Sequence, residues 1–210
     1  DYTRQIDRLG KSSSLEKENT LFSPKDALTD MLRMHTVQVM AWGKLYKHDL
    51  FAGIRYPVGR INEDNLTTYK FILKSINCIV CSTKKLYYYR INQKGIMNGI
   101  FNKNRYEILS VSNEVKAYMA GMSWIPVSDI NYHEFRIAFG LYNECILKGK
   151  DKEYSDCQQR TYYLLMSFDL RAIQCERKYI IRLYLLRFNQ NFYKWIFLAK
   201  HKYRCFLMKK

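Results

Sequence analysis

The hydrophobic pattern of this 210-residue sequence changes its period near Asn92, and that change limits the folds open to it. Before Asn92, β-branched and aromatic residues fall in short runs between turn signals, which is typical of a mixed α/β region. After Asn92, apolar residues recur at helical spacing for most of the chain. We therefore expect an α/β domain over 1–102 and a mainly α-helical region over 103–210, with helices near 103–120, 130–148, 155–172 and 176–206.

Smaller elements are predicted within the first domain. Residues 1–22 are polar and should form a loop. A helix should begin after Ser23, because Ser is a favoured N-cap and Pro24 suits the first helical position. The other predictions are extended chain over 36–46, a helical turn at 48–51, a helix after the stretch "GRINED" whose packed face is Leu66, Tyr69, Ile72, Leu73 and Ile76, and strands over 78–81 and 85–91.

The composition indicates a folded protein with an anionic partner. Hydrophobic residues make up 48% of the sequence and aromatic residues 15%, which excludes a disordered chain. The net charge of +16 favours nucleic acid, phosphorylated small molecules or an acidic membrane surface. The sequence contains no run of about eighteen uncharged apolar residues, so no membrane-spanning helix is predicted. The chain starts at Asp1 without a signal-peptide pattern, so it is expected to begin partway into a longer protein.

The six cysteines suggest reduced thiols. Cys78 and Cys81 have the spacing of a zinc half-site, but no second Cys/His pair follows at useful spacing, and a structural zinc site needs four ligands. Residues three apart on a strand also point to opposite faces. Partly buried, reduced cysteines are therefore expected, in a cytoplasmic compartment.

The acidic pair Glu63-Asp64 precedes a helical pattern in an otherwise basic sequence. It is either a helix start, because exposed N–H groups and the helix dipole favour negative charge there, or a catalytic base. A carboxylate held at a helix N-terminus is ionised, oriented and able to project into a cleft, as a general base must be. The local pattern leaves both interpretations open.

A longer stretch around the pair resembles a known family. From "AWGKLYKHDLF" through "RYPVGRINEDNLTTYKFI" to "KKLYYYRINQKGIMNGIFN", order and spacing are similar to the second half of the catalytic domain of family 2 glycosyltransferases, over about sixty residues. These bacterial enzymes build capsular, wall and exopolysaccharides. The matching positions are Trp42, Lys44, Leu45, Tyr46, Phe51, Arg55, Tyr56, Pro57, Gly59, Glu63, Asp64, Thr67, Tyr69, Leu86 to Arg90, Ile96 and Met97.

The resemblance implies a GT-A (Rossmann-like) fold and an inverting transfer from a nucleotide-sugar to a saccharide or lipid-linked acceptor. It makes Asp64 the general base, which takes the proton of the acceptor hydroxyl, and gives Glu63 a role in acceptor binding or loop support. The other implied substrate-binding residues are Trp42, as a platform for a sugar ring with core packing as the alternative, Lys44 and Arg90, as partners of acceptor or diphosphate oxygens, and Asn92.

Two departures from the family pattern bear on cofactor and donor. Asn92 stands where many members have a metal-binding His, so direct metal binding by this half is not expected. The family's nucleotide-binding half, which ends in Asp-x-Asp and holds Mg²⁺ or Mn²⁺, has no match here. A partial GT-A domain lacking that half should bind nucleotide-sugars negligibly, be inactive alone, and expose a sheet edge prone to self-association.

The C-terminal tail carries most of the positive charge. From Cys175 to Lys210 there are ten Lys/Arg and one acidic residue, Glu176. One helix over 177–204 would place on one face Ile180, Ile181, Tyr184, Leu185, Phe188, Phe192, Trp195, Ile196 and Ala199, and opposite them Arg182, Arg187, Lys194, Lys200 and Arg204, interrupted by Leu183, Leu186, Tyr193 and Phe197. Such a helix either lies on an anionic membrane, at the inner face of the plasma membrane, or packs on its own domain with a solvated basic edge.

Two other function classes compete with a glycosyltransferase fragment. A nucleic-acid-binding module is suggested by +16 and eighteen tyrosines, but no aromatic-basic RNA signature appears, so no nucleic-acid partner is expected. The second is a non-catalytic, membrane-associated remnant. A transfer assay beside a vesicle-binding assay separates the three.

Overall fold

The computed structural model describes residues 19–90, 103–148 and 152–209, and these divide into two compact units. The first unit contains residues 19–58 and 63–90, and the second contains residues 59–62 together with the described residues from 103 onward. Each unit is described by itself.

The first unit combines a two-stranded sheet with short helices. Strand β1 (Asn19–Phe22) pairs antiparallel with β2 (Ile79–Ser82), with Asn19 opposite Ser82. The prediction of β2 is thereby confirmed, whereas the prediction of a loop is wrong for residues 19–22. The helical elements are α1 (Pro24–Leu32), a 3₁₀ turn (His48–Phe51) and α2 (Thr68–Lys74).

Helix α1 begins as its sequence predicts. The hydroxyl of Ser23 accepts a hydrogen bond from the backbone N–H of Asp26 at 3.1 Å, and Pro24 occupies the first turn, where a missing N–H costs nothing. Its buried residues, Ala27, Leu28, Met31 and Leu32, recur at helical spacing and form part of the core.

Residues 36–46 form an irregular segment and not the predicted extended strand-like chain. The Asp30 carboxylate accepts from the backbone N–H groups of Thr36 and Val37, at 2.7 and 2.6 Å. Those donors are therefore committed to a side chain instead of a ladder of backbone bonds. The strand predicted over 85–91 is likewise wrong for 85–90, which are irregular, while residue 91 lies outside the described residues.

The second unit is a helical bundle whose core is rich in aromatic side chains. Its elements are a 3₁₀ turn (Lys103–Tyr106), α3 (Glu107–Ala120), α4 (Val127–Lys148), α5 (Lys152–Ser167), α6 (Leu170–Ile173), α7 (Arg177–Phe188) and α8 (Gln190–Lys209). Phe135, Phe139 and Tyr142 of α4 pack against Leu183 and Leu186 of α7 and Tyr193 of α8 in one cluster. The predicted helical region over this part of the chain is confirmed.

The prediction of a single tail helix over 177–204 is wrong, because the helix is interrupted at Asn189. This residue is extended, with φ −158° and ψ 116°, and its side-chain oxygen accepts from the N–H of Phe192 at 2.9 Å. Asn competes with helical backbone bonds in this way and is a preferred N-cap. Two helices, α7 and α8, therefore replace one.

Candidate functional site

The acidic pair lies in a turn that precedes helix α2, not in the helix itself. Helix α2 begins at Thr68, four residues after Asp64. The carbonyl of Asp64 accepts from the N–H groups of Thr67 and Thr68, at 3.1 and 2.9 Å. Residues Leu66 to Tyr69 are buried and hold the turn against the core.

The Asp64 carboxylate is oriented by its neighbour and keeps one oxygen available. Its Oδ1 accepts from the backbone N–H of Asn65 at 2.8 Å and from the Asn65 side-chain amide at 3.1 Å. Within the described part of the chain, Oδ2 has no hydrogen-bond partner, and the side chain is half-buried. Asp64 therefore does not cap α2. Its free oxygen has the access that a proton acceptor needs.

Glu63 serves the turn through its backbone. Its carbonyl accepts from the Thr67 hydroxyl at 2.7 Å, which ties the two ends of the turn together. Its carboxylate makes no hydrogen bond within the described residues, so the side chain is available to a ligand as well.

Lys44 is brought near Asp64 by the irregular segment. The Thr68 hydroxyl donates to the carbonyl of Val39 at 2.5 Å, which fastens that segment to the start of α2. Burial lowers the pKa of Lys44, and the nearby charge of Asp64 and the thiol of Cys81 oppose that effect. The ammonium group also donates to the carbonyl of Met40. The Lys44 ammonium group therefore lies near the Asp64 carboxylate without forming an ion pair with it.

Trp42 belongs to a surface cluster of three rings. Its ring centroid lies 5.1 Å from that of Tyr87 in a stacked arrangement and 4.9 Å from that of Tyr89. Trp42 is 40% exposed and Tyr87 51%, so the rings are not core residues. Gly43, at φ +68°, adopts a backbone conformation that a side-chain-bearing residue would strain, and it links Trp42 to Lys44. Exposed, mutually supported rings of this kind can stack on a sugar.

Residues that the sequence analysis gave no role hold this site in place. Phe71 is fully buried in α2, and the rings of Tyr46, Phe51 and Tyr56 surround it at 4.9, 4.7 and 5.8 Å. Burial, and then the neighbouring Tyr56 hydroxyl, raise the pKa of Tyr46, which also senses the charge of Asp64. The predicted packed face omitted Phe71 and included Ile76. Helix α2 ends at Lys74, so Ile76 lies outside it and is exposed.

Five of the six predicted site residues lie in the described part of the first unit. Asp64, Glu63 and Lys44 lie on or beside one turn, and Trp42 is two residues from Lys44. Arg90 is exposed at the end of the described segment that carries Tyr87 and Tyr89. Asn92 lies outside the described residues.

The described residues contain no cluster of three metal-binding side chains. Across 19–90, 103–148 and 152–209, no three Asp, Glu, His or Cys side chains converge as a metal site would require. The site's own groups are a carboxylate oxygen that can take a proton, a cation 20 residues earlier in the chain that can attract an anionic oxygen, and exposed rings.

Comparison with known proteins shows a similarity to a glycosyltransferase. The chain is 31% identical over 86 residues to Glycosyltransferase GlyA of Streptococcus pneumoniae serotype 4 (strain ATCC BAA-334 / TIGR4), a match that covers 41% of this chain and 12% of that relative. No protein-family model and no solved structure matches. The similarity supports a relationship to glycosyltransferases, and the chain spans only a small part of the relative's length.

Proposed function

We propose that this chain supplies the acceptor side and the general base of an inverting, nucleotide-sugar-dependent glycosyltransferase of the GT-A fold. The product would be a surface saccharide, built on a saccharide or lipid-linked acceptor. The observation that carries the proposal is the Asp64 carboxylate, fixed through Oδ1 and free at Oδ2, beside Lys44 in a half-buried turn. The similarity to a glycosyltransferase supports the reaction class.

In the proposed reaction, the acceptor hydroxyl oxygen attacks the anomeric carbon of the donor. The bond from that carbon to the diphosphate oxygen breaks on the opposite face, and the nucleotide diphosphate leaves with the electron pair. Oδ2 of Asp64 takes the hydroxyl proton as the new bond forms, so charge and atoms balance. One displacement inverts the configuration at the anomeric carbon.

The other residues position the acceptor. The exposed rings of Trp42 and Tyr87 offer an apolar surface to a pyranose face. Lys44 and Glu63 provide one donor and one acceptor of hydrogen bonds near Asp64, which would fix the reacting hydroxyl. Phe71 and its three neighbouring rings keep the two segments together.

The test compares Asp64→Asn with the parent in the protein expressed from its native reading frame. The amide keeps the Oδ1 contact to Asn65, so the free energy of unfolding should change by less than about 1 kcal/mol. Transfer from radiolabelled nucleotide-sugars should fall by about 10² to 10⁴-fold, because an amide cannot take the proton. Initial transfer rates and urea unfolding curves measure the two effects.

Asp49→Asn is the matched control, because Asp49 is a fully exposed aspartate of the same unit. It should leave both the rate and the stability unchanged. An Asp64→Asn variant that transfers sugar at the parental rate would show that the acidic pair only shapes the turn before α2. The product anomer, determined by NMR, checks inversion separately.

A further inference from the structure

Helices α7 and α8 have a second apolar face that the core of the second unit does not use. Leu183, Leu186 and Tyr193 are the fully buried residues of these helices. Ile181, Tyr184 and Phe188 recur at intervals of three and four along α7, so they form one stripe, and all three are exposed. Phe188 is the most exposed of them, at 83%.

Helix α8 carries exposed apolar residues as well. Phe192 and Trp195 stack on each other with ring centroids 6.2 Å apart, yet they remain 43% and 67% exposed. Leu198 and Tyr203 add further exposed apolar surface. Large apolar side chains arranged in this way on a soluble surface mark an interaction site.

The end of α8 projects from the described bundle. Every residue from Ala199 to Leu207 is exposed, on all sides of the helix. These residues continue α8 beyond the part that packs in the core, so core packing contributes little to their stability. Its apolar residues, Tyr203, Phe206 and Leu207, alternate with Lys200, Lys202 and Arg204. The segment therefore has the composition of a helix that is stabilised by an external surface.

Charge decides among the possible occupants. From Arg177 to Lys209 the sequence carries nine Lys/Arg and no Asp or Glu. A second copy of this surface would bring like charges together, which disfavours association. Nucleic-acid interfaces are highly polar, whereas Ile181, Leu198 and Leu207 are exposed aliphatic residues that neither stack on bases nor bind phosphate. An anionic lipid surface accepts both classes of side chain, aromatic and aliphatic groups at the acyl boundary and ammonium and guanidinium groups at the headgroups.

We propose that the exposed face of α7 and α8, defined by Ile181, Tyr184, Phe188, Phe192, Trp195, Leu198 and Tyr203, docks on an anionic lipid bilayer and lies in its interface. No described helix is long and apolar enough to cross a membrane. The proposal does not depend on glycosyl transfer, because it concerns only surface residues of the second unit.

The experiment measures binding of the full chain to large unilamellar vesicles by flotation. One set of vesicles contains phosphatidylcholine with about 30% phosphatidylglycerol, which gives a strongly negative surface. The other set contains phosphatidylcholine alone. The parent should float with the anionic vesicles and not with the neutral ones, and high salt should weaken binding, since surface charges are screened. Quenching of Trp195 by brominated acyl chains should accompany binding.

Two sets of substitutions separate the apolar and the basic contributions. Phe188→Ser, Phe192→Ser and Trp195→Ser together should lower the partition coefficient about 100-fold, because three large rings lose their burial in the interface. Lys200→Gln, Lys202→Gln and Arg204→Gln together should lower it by a similar factor and only for anionic vesicles. The matched control is Leu45→Ser, Val58→Ser and Ile76→Ser, three fully or almost fully exposed apolar residues of the first unit, which should bind as the parent does.

Far-UV circular dichroism and urea unfolding, without lipid, check that each variant is folded. Unchanged flotation of the folded Phe188, Phe192 and Trp195 variant would overturn the proposal. So would concentration-dependent dimerisation of the parent that this variant abolishes, or tighter binding to single-stranded RNA than to anionic vesicles at equal salt. Transfer activity is measured separately, so failure of this proposal leaves the proposed reaction untouched, and the converse also holds.

Discussion

At the scale of single residues, His133 is a buried base that the folded protein keeps neutral. It lies in α4 and is almost completely buried, and its Nε2 has no hydrogen-bond partner among the described residues. Burial lowers its pKa to about 4, because the charged form loses its hydration. Folding therefore requires this side chain to remain unprotonated.

His133 should make the protein sensitive to mild acid. The unfolded chain binds a proton at His133 below its ordinary pKa of 6.5, whereas the folded chain does so only near 4. The unfolded state thus binds more protons between these values, and stability present above pH 6.5 is lost as the pH falls toward 4. The loss should be on the order of 3 kcal/mol, at about 1.4 kcal/mol per pKa unit.

His133→Leu tests this expectation, because leucine has a similar volume and does not titrate. Urea unfolding at a series of pH values from neutral to acidic should show a smaller loss of stability for the variant than for the parent. His48→Leu, at a fully exposed position, is the control and should leave the profile unchanged. Identical pH profiles for His133→Leu and the parent would mean that other groups cause the acid sensitivity.

At the scale of elements, one residue decides whether the tail is one helix or two. Asn189 ends α7, where its backbone N–H donates to the carbonyl of Leu185 at 3.0 Å. Its side chain then starts α8 through the bond to Phe192. In α8, Tyr193 lies in the core and Phe192 is exposed.

Asn189→Ala should lower the free energy of unfolding by about 1 kcal/mol, because an N-cap side chain is lost and alanine offers no acceptor. Asn189→Ser should recover most of the loss, since serine is also a good N-cap. Asn191→Ala, an exposed neighbour inside α8, should have no effect or stabilise slightly, since alanine is the better helix former. Urea titrations followed by circular dichroism give the four values, and an Asn189→Ala variant as stable as Asn191→Ala would contradict the capping role.

At the scale of the whole molecule, the reactivity of each cysteine thiol reflects how tightly its unit is packed around it. Cys145 and Cys157 are buried together in the second unit, between α4 and α5, and their hydrogen bond, with burial, raises the pKa of Cys145. Cys78 of the first unit and Cys205 of α8 are exposed. The same hydrogen bond lowers the pKa of Cys157, but both sulfurs are buried. Because an alkylating reagent cannot reach them, the pair should be inert in the native state.

Alkylation with iodoacetamide, mapped by mass spectrometry, should therefore label Cys78 and Cys205 quickly and Cys81 and Cys175 more slowly. Cys145 and Cys157 should react only at the rate at which the second unit unfolds, and urea should accelerate them alone by orders of magnitude. Labelling of Cys145 at the native rate of Cys205 would show that the core around α4 is open.

The sequence by itself determined the elements whose signals are local. The Ser23–Pro24 start of α1, the 3₁₀ turn at His48–Phe51 and the helical character of the chain after residue 103 follow from capping chemistry and from the period of the apolar residues. The acidic pair and its proposed chemistry were also visible, because a carboxylate pair in a basic chain is a local feature and the motif around it has a fixed spacing.

Only the tertiary structure decided what depends on partners distant in sequence. Strand β1 forms because it pairs with β2, about sixty residues later in the chain. A four-residue sequence pattern cannot predict such a pairing. Phe71, which the predicted face omitted, is a core residue because three rings from another segment converge on it. In the tail, both faces are apolar, so periodicity alone could not say which one is buried. In the folded bundle, Leu183, Leu186 and Tyr193 pack in the core with α4, whereas the aromatic stripe is exposed to solvent.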